Sequence, residues 1–413
     1  MLSINQTDEK VRLLALGVYK DAVMLREKFH QHPELGFEEY KTSQVIEEYL
    51  RNLGLDVEAG IAQTGVIGTL QGGKEGPIVA FRADMDALPI QERTNVPFAS
   101  QIPNVMHACG HDMHMAMLLA AAKALSEHRE EIYGTIKFIF QPAEEMKGGG
   151  KRIVEAGALE TPDVDYAFGF HVWPELPMGT YGFRDGTLMA SMDTFEVTLK
   201  GKQGHGAAPH QGVDALIGAA HVVTALQSIV SREVNPLDSV VITIGKIEAG
   251  AGYNIIPDQA VFKGTVRTIN SQTRLEVEKS IERIVKGISA SLRMKADVRY
   301  ERSYPITKNT PHINKYISLL AQGLYGEKSV HWLEHPSMAS EDFAFYLEKV
   351  PGAFVFLGVK DEELGAEKLH SEYFLPKHEA MIEGISLFIS LGLNPLSLEM
   401  LNNREEREYG KEE

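Results

Sequence analysis

A single cysteine, Cys109, occurs in the 413 residues, so no intramolecular disulfide can form and a reducing compartment is predicted. No unbroken apolar run approaches the roughly 20 residues of a membrane span. The segment Met1–Lys10 lacks a basic start followed by an apolar core, so no signal peptide is predicted and the cytoplasm is the expected location. Basic residues are scarce, 41 against 57 acidic ones, and the net charge of −16 argues against nucleic acid or an anionic membrane as partner. An anionic small molecule stays open, because one local basic group can dominate a pocket. Internal repeats are absent, and low complexity is confined to a charged tail, residues 396–413, expected to be frayed. Core material is plentiful: 44% hydrophobic residues can bury a substantial interior, and the length favours more than one domain.

The lone thiol lies in Met106-His107-Ala108-Cys109-Gly110-His111-Asp112-Met113-His114, among three histidines and an aspartate. In extended or looped backbone, residues i and i+2 point the same way, so Cys109 and His111 would face one centre. Thiolate and imidazole together suit zinc or a similar borderline-soft divalent ion. A thiol nucleophile is a second reading, and a small buried hydrophobe a third. A catalytic zinc usually wants three protein ligands, so further donors must lie downstream. The apolar run Thr135–Phe140 ends in Gln141-Pro142-Ala143-Glu144-Glu145 and three glycines. In an extended segment one of these glutamates can bind metal while its neighbour handles a proton. His171 falls near the carboxyl end of the apolar stretch Asp165–Trp173, and His370 arrives in Leu369-His370-Ser371-Glu372 before a helix. Singly, each reads as a solvated or hydrogen-bonded side chain; five ligand-type residues at element ends read as a site.

Apolar residues at spacings of three and four predict helices over about Lys10–His30 and Thr42–Leu53, joined through the turn-like His32-Pro33-Glu34-Leu35-Gly36. Short apolar strands then alternate with helices: Ile78–Phe81, a helix Met113–Leu125, Thr135–Phe140 and Val164–Val172. This is the pattern of an α/β domain with a mixed, mostly parallel sheet covered by helices. After Ser191 the character changes. A strand Thr194–Lys200, a helix Val213–Arg232, strands Val240–Ile247 and Ala260–Ile269, a helix Gln272–Leu292 and a strand Lys295–Arg302 follow. That βαββαβ order predicts an inserted ferredoxin-like α+β domain. The expected division is residues 1–190 with 303–395 as one discontinuous domain, and 191–302 as the insert.

The segments Phe81-Arg82-Ala83-Asp84-Met85-Asp86-Ala87-Leu88-Pro89, Met106–Asp112, Gln141–Glu145 and Ser340-Glu341-Asp342-Phe343 together resemble the M20 metallopeptidase superfamily. The likeness is to its amidohydrolase branch of aminoacylases, hippurate hydrolases, indoleacetyl-amino-acid hydrolases and related carboxypeptidases, and it runs from about Arg26 to about Leu393. It implies a catalytic, metal-binding larger domain and an insert that serves as lid and dimerisation domain. It implies two divalent ions, zinc, manganese or cobalt, held by Cys109, His111, Glu145, His171 and His370, with Glu144 as general acid/base. The wider superfamily has a ligating histidine where this chain has Asp84, followed by Asp86. An aspartate bridges the metals elsewhere, at the place of Asp112, whereas in this branch the bridging falls to Cys109. Asp84, Asp86, Asp112 and His114 are therefore expected to orient the ligands.

In the insert, His205 of Gly204-His205-Gly206 matches a histidine that stabilises the oxyanion, often in the partner subunit's site. Asn254 and Arg267 match residues that hold the substrate's carboxylate, a task suited to the planar fork of arginine. The resemblance implies hydrolysis of an N-acyl-L-amino acid, or of short or N-blocked peptides as a carboxypeptidase, by a homodimer or homotetramer. A metal-free cysteine amidase using Cys109 with His111 or His171 as base is the rival from another class, and it leaves the paired glutamates unexplained.

Overall fold

Strand Lys74–Asp84 shows why the larger sheet forms. Val79, Phe81 and Ala83 enter one apolar core, while the intervening Arg82 and Asp84 are buried on the opposite face. Both its neighbours, Tyr133–Gln141 and Tyr166–Pro177, run parallel to it, as a strand buried on both faces requires. The structure, a computed structural model, describes residues 4–361 and 367–397; the tail beyond residue 397 lies outside the described residues.

The chain divides into two compact units, one of Met1–Leu188, Lys308–His335 and Asp342–Glu413, the other of Met189–Thr307 and Pro336–Glu341. The first unit holds an eight-stranded sheet in the order Asp56–Ile61, Gly65–Gln71, Tyr133–Gln141, Lys74–Asp84, Tyr166–Pro177, Gly352–Lys360, Tyr181–Phe183, Val330–Trp332. The four central strands are mutually parallel; Gly65–Gln71 and Tyr181–Phe183 join them antiparallel on either side, Asp56–Ile61 pairs antiparallel with the first of these and Val330–Trp332 parallel with the second. Helices Ile4–Gln31, Tyr40–Asn52, His111–Ser126, Pro311–Tyr325 and Met381–Leu393 share one core with that sheet. Helix His111–Ser126 is buried almost all round, and its Leu118, Leu119 and Leu125 each contribute roughly 1.5–3 kcal/mol by burial.

The second unit has the order strand Met192–Lys200, helix Ala215–Ser228, strands Val240–Ala249 and Gln259–Thr268, helix Ser271–Ser291, strand Lys295–Tyr304. Its four-stranded sheet is antiparallel throughout, with the second strand next to the third, then the first, then the fourth, which is ferredoxin-like. Asp214 and Asn270 cap the two helices, each accepting two backbone N–H bonds, worth about 1 kcal/mol apiece. One stretch, Ala215–Glu233, is long and apolar enough to cross a membrane by length and composition. His221, Thr224, Gln227 and Ser228 interrupt it, so a search for unbroken apolar runs passes it over. Its Ala215, Ala219, Val222, Leu226 and Ile229 lie in the unit's own core.

Candidate metal centre

The centre lies in the first unit, where chain leaves the carboxyl ends of parallel strands, the usual place for chemistry in such sheets. Cys109 precedes helix His111–Ser126, and Gly110 between them is held at φ 85°. A side chain at Gly110 would strike Val172 Cγ2 at 2.5 Å, so only glycine lets the thiol and imidazole turn inward together. Glu144 and Glu145 open a short helical turn, Glu144–Lys147, rather than lying in extended backbone as the spacing argument assumed. The preceding Ala143 turns the chain with a left-handed backbone. His370 also has a positive φ, 66°, and its N–H donates to Ala108 O at 2.8 Å, tying the late histidine to the cysteine loop. Strained backbone of this kind persists where surrounding structure over-determines it, most often at functional sites.

The five expected ligands converge. Cys109 Sγ is 3.3 Å from His171 Nε2 and 3.4 Å from His370 Nε2. Glu145 Oε1 is 3.3 Å from His370 Nε2 and 3.9 Å from His111 Nε2. Three groupings, Cys109 with His111 and His171, Cys109 with Glu145 and His370, and His111 with Glu144 and Glu145, each bring their donor atoms within 4.8 Å of one another. The thiol belongs to two of them. Cys109, His111, His171 and Glu144 are buried, while His370 is exposed at the rim.

The donor set fits a cation. His111 Nδ1–H donates to Asp86 O at 2.8 Å and His171 Nδ1–H to Val172 O at 2.7 Å, which leaves each Nε2 with its lone pair facing the centre. Among the described residues, His111 Nε2 is buried without a hydrogen-bond partner, and Glu145 Oε1 has only the His370 imidazole nearby, at 3.3 Å. Burial pushes His111 down, yet Asp84, Asp86 and Glu145 outweigh it and raise its pKa to about 10, the mark of a pocket with surplus negative charge. Burial, joined by the neighbouring His114 and His111, holds His171 well below the ordinary histidine range and therefore neutral. Burial and the carboxylates of Glu145 and Glu144 push the Cys109 thiol well above its usual range. A free thiolate is thus strongly disfavoured there, which weighs against the cysteine-nucleophile reading, whereas a divalent ion deprotonates a coordinating thiol.

The four residues expected to orient ligands do different things. Asp86 accepts from Glu144 N at 2.9 Å and Glu145 N at 3.0 Å, fixing the start of the helical turn. Asp84 accepts from Arg82 Nη1 at 2.7 Å and from His114 Nδ1 at 2.6 Å, with His111 Nε2 3.6 Å away. His114 Nε2 accepts from Val172 N at 3.0 Å, so both its nitrogens are engaged. Asp112 turns away, accepting from Arg26 Nε at 3.1 Å and pairing with His30 Nδ1 at 2.9 Å. Sequence reasoning quoted Asp342 without giving it work. Its buried carboxylate accepts from Arg82 Nη2 at 2.8 Å, Gln141 Nε2 at 2.8 Å and Gly150 N at 2.6 Å, binding the Glu144 loop to the sheet. Arg26 and His30 were missed likewise; their signal was charge on the inward face of an amphipathic helix.

His205, Asn254 and Arg267 belong to the second unit. His205 pairs across a short two-stranded ladder with Ile255, and Gly206 N donates to Asn254 O at 2.8 Å, so His205 and Asn254 are neighbours. His205 is exposed; its Nδ1 accepts from Ala207 N at 3.0 Å, leaving Nε2–H free to donate. Arg267 is half-buried, donates to Ser340 Oγ at 3.0 Å, and pairs with no carboxylate among the described residues.

The sequence model of Peptidase family M20/M25/M40 matches residues 80–394. A Bacillus subtilis (strain 168) protein named N-acetylcysteine deacetylase is 40% identical over 372 residues, covering 90% of this chain and 96% of its own. A Saccharolobus solfataricus protein named thermostable carboxypeptidase 2 is 40% identical over 347 residues, covering 83% of this chain and 87% of its own. The crystal structure of a Bacillus subtilis protein described as a dinuclear metal-binding peptidase of the M20 family aligns with a TM-score of 0.80 at 36% identity, covering 91% of this chain and 98% of that one.

Proposed function

The chain belongs to Peptidase family M20/M25/M40, metal-dependent hydrolases of amide bonds, and from that premise we propose that it releases amino acids from N-acyl-L-amino acids. The observation that carries the reading is the convergence of the donor atoms of Cys109, His111, Glu145, His171 and His370 beside the buried carboxylate of Glu144. These five would hold a pair of divalent ions, Zn²⁺, Mn²⁺ or Co²⁺. Such ions supply Lewis acidity toward the scissile carbonyl and lower the pKa of the attacking water.

Glu144 takes the proton of the attacking water and hands it to the departing amine nitrogen, which is otherwise a poor leaving group. Asp86, Asp84 and His114 keep the ligands in register, and the imidazole tautomers are set by Asp86 O and Val172 O. His205 Nε2–H is the donor for the developing oxyanion, and Asn254 with Arg267 receives the substrate's carboxylate. A guanidinium with no carboxylate partner among the described residues supports that last role. The second unit then serves as lid and dimerisation domain. Exposed Leu216 and Ile217 on helix Ala215–Ser228, and Val241 and Ile247 on the edge strand Val240–Ala249, support a homodimer or homotetramer. The lone cysteine supports a cytoplasmic site of action.

The relative named a carboxypeptidase supports a second reading, in which the acyl side is a short or N-blocked peptide. Release of free amino acid from N-acetyl, N-benzoyl and longer N-acyl amino acids, beside blocked dipeptides, tests both. Turnover of the acyl series above the peptides is expected. Turnover of peptides alone would replace the first reading with the second, and turnover of neither would overturn both.

A further inference from the structure

The connection that begins with the turn His32–Gly36 and leads into helix Tyr40–Asn52 reaches the Ala143 loop through Glu39. Glu39 stands at the N-cap of helix Tyr40–Asn52, yet its side chain makes no capping hydrogen bond there. The capping falls to Glu34 instead, which accepts from Thr42 N at 2.9 Å and Lys41 N at 3.3 Å. Glu39, fully buried, sends its carboxylate elsewhere: Oε1 accepts from Ala143 N at 2.9 Å and Oε2 from Thr64 Oγ at 2.7 Å. With Asp86 on the next two amides, two buried carboxylates capture the three consecutive N–H groups of Ala143, Glu144 and Glu145. The captured peptide is the strained one, since Ala143 has φ 53° and ψ 49°, a region that favours glycine. Gly36, three residues before Glu39, closes over it: a Cβ there would lie 3.0 Å from Ala143 Cα and Cβ.

Taking Glu144 as acid/base and Glu145 as ligand, as the reading above does, we propose that Glu39 is a positioning residue for this pair. It acts through the Ala143 peptide, holding the left-handed turn that sends Glu144 and Glu145 to the centre. Gly36 belongs to the same device: a Cβ there would press on Ala143 at 3.0 Å, so that peptide would have to give by a few tenths of an ångström.

The test compares Glu39→Ala with Glu39→Gln in the full chain, since glutamine keeps an acceptor oxygen for Ala143 N. Zn²⁺ affinity is measured by competition with a chromophoric chelator, kcat and KM on the best substrate of the parent, and folding by thermal melting. Glu39→Ala is expected to bind Zn²⁺ roughly 10–100-fold more weakly. Its kcat falls about 10²-fold with KM little changed, because the pair is misplaced while the substrate's binding groups stay put. Glu39→Gln stays near the parent on both readouts. Parent-like Zn²⁺ affinity and kcat in Glu39→Ala, or equal losses in both variants, would overturn the proposal. Should Glu39→Ala fail to fold, Gly36→Ala displaces the same peptide by contact, and unaltered Zn²⁺ affinity there would overturn it too. If the parent hydrolyses no amide, the functional reading falls, while the Zn²⁺ affinities still decide the role of Glu39.

Discussion

Replacing Asp342 with alanine removes the acceptor that ties the Glu144 loop to the sheet. Asp342 and Arg82 are 2.8 Å apart with side chains 0% and 1% exposed, so the pair is fully desolvated. The change leaves the Arg82 guanidinium with less compensating charge and takes the carboxylate from Gln141 Nε2 and Gly150 N. Breaking a buried ion pair by deleting one partner costs about 3–5 kcal/mol. Urea unfolding followed by tryptophan fluorescence reads this directly, because both tryptophans, Trp173 and Trp332, lie in the first unit. With a urea slope of about 3 kcal/mol per molar for a unit of this size, the midpoint should fall by about 1 M or more. An Asp342→Ala midpoint within about 0.3 M of the parent, under 1 kcal/mol at that slope, would refute the reasoning.

Glu144→Gln should lower kcat by roughly 10²–10⁴-fold with metal stoichiometry unchanged, checked by steady-state assay and elemental analysis; near-normal turnover would remove Glu144 from its role. Arg267→Ala should raise KM about tenfold or more with a smaller effect on kcat, as expected for a lost charge-assisted contact to the substrate's carboxylate. His30 gives a pH signature: burial disfavours its charge, but Asp112 and Glu92 outweigh burial and raise its pKa to about 9 from 6.5. The charged form is therefore the stabilising one, so about 3 kcal/mol is fully present below pH 6.5 and lost as pH rises through 9. Urea midpoints at pH 6.5 and 9.5 should show that fall in the parent and a flatter profile in His30→Gln; equal profiles would contradict it.

The legible parts of the molecule were those whose information is local. Helix His111–Ser126 and strand Tyr133–Gln141 announce themselves by apolar runs, and Cys109, His111 and Glu145 sit beside their ends, whereas His171 lies mid-strand and His370 in a turn. Strand Gly352–Lys360 is central to the sheet, yet its unbroken apolar run has no period to separate strand from buried helix. Strands Asp56–Ile61 and Gly65–Gln71 are short, and glycines interrupt their pattern. Roles that depend on long-range partners were out of reach. Nothing near Asp112 says that it turns toward Arg26 and His30, and nothing near Asp342 points to Arg82. The Glu144-Glu145 pair was found for its chemistry, but the helical turn that presents it depends on Asp86 and on a left-handed Ala143.

The central claim, amide hydrolysis at a centre built on Cys109, His111, Glu145, His171 and His370, is tested most directly by assaying an N-acyl amino acid before chelation, after it, and after adding back Zn²⁺, Mn²⁺ or Co²⁺. Loss of turnover on chelation and its return with two equivalents of metal per chain is the expected result. Turnover indifferent to the chelator but abolished by alkylation of Cys109 would contradict it and make the thiol the nucleophile.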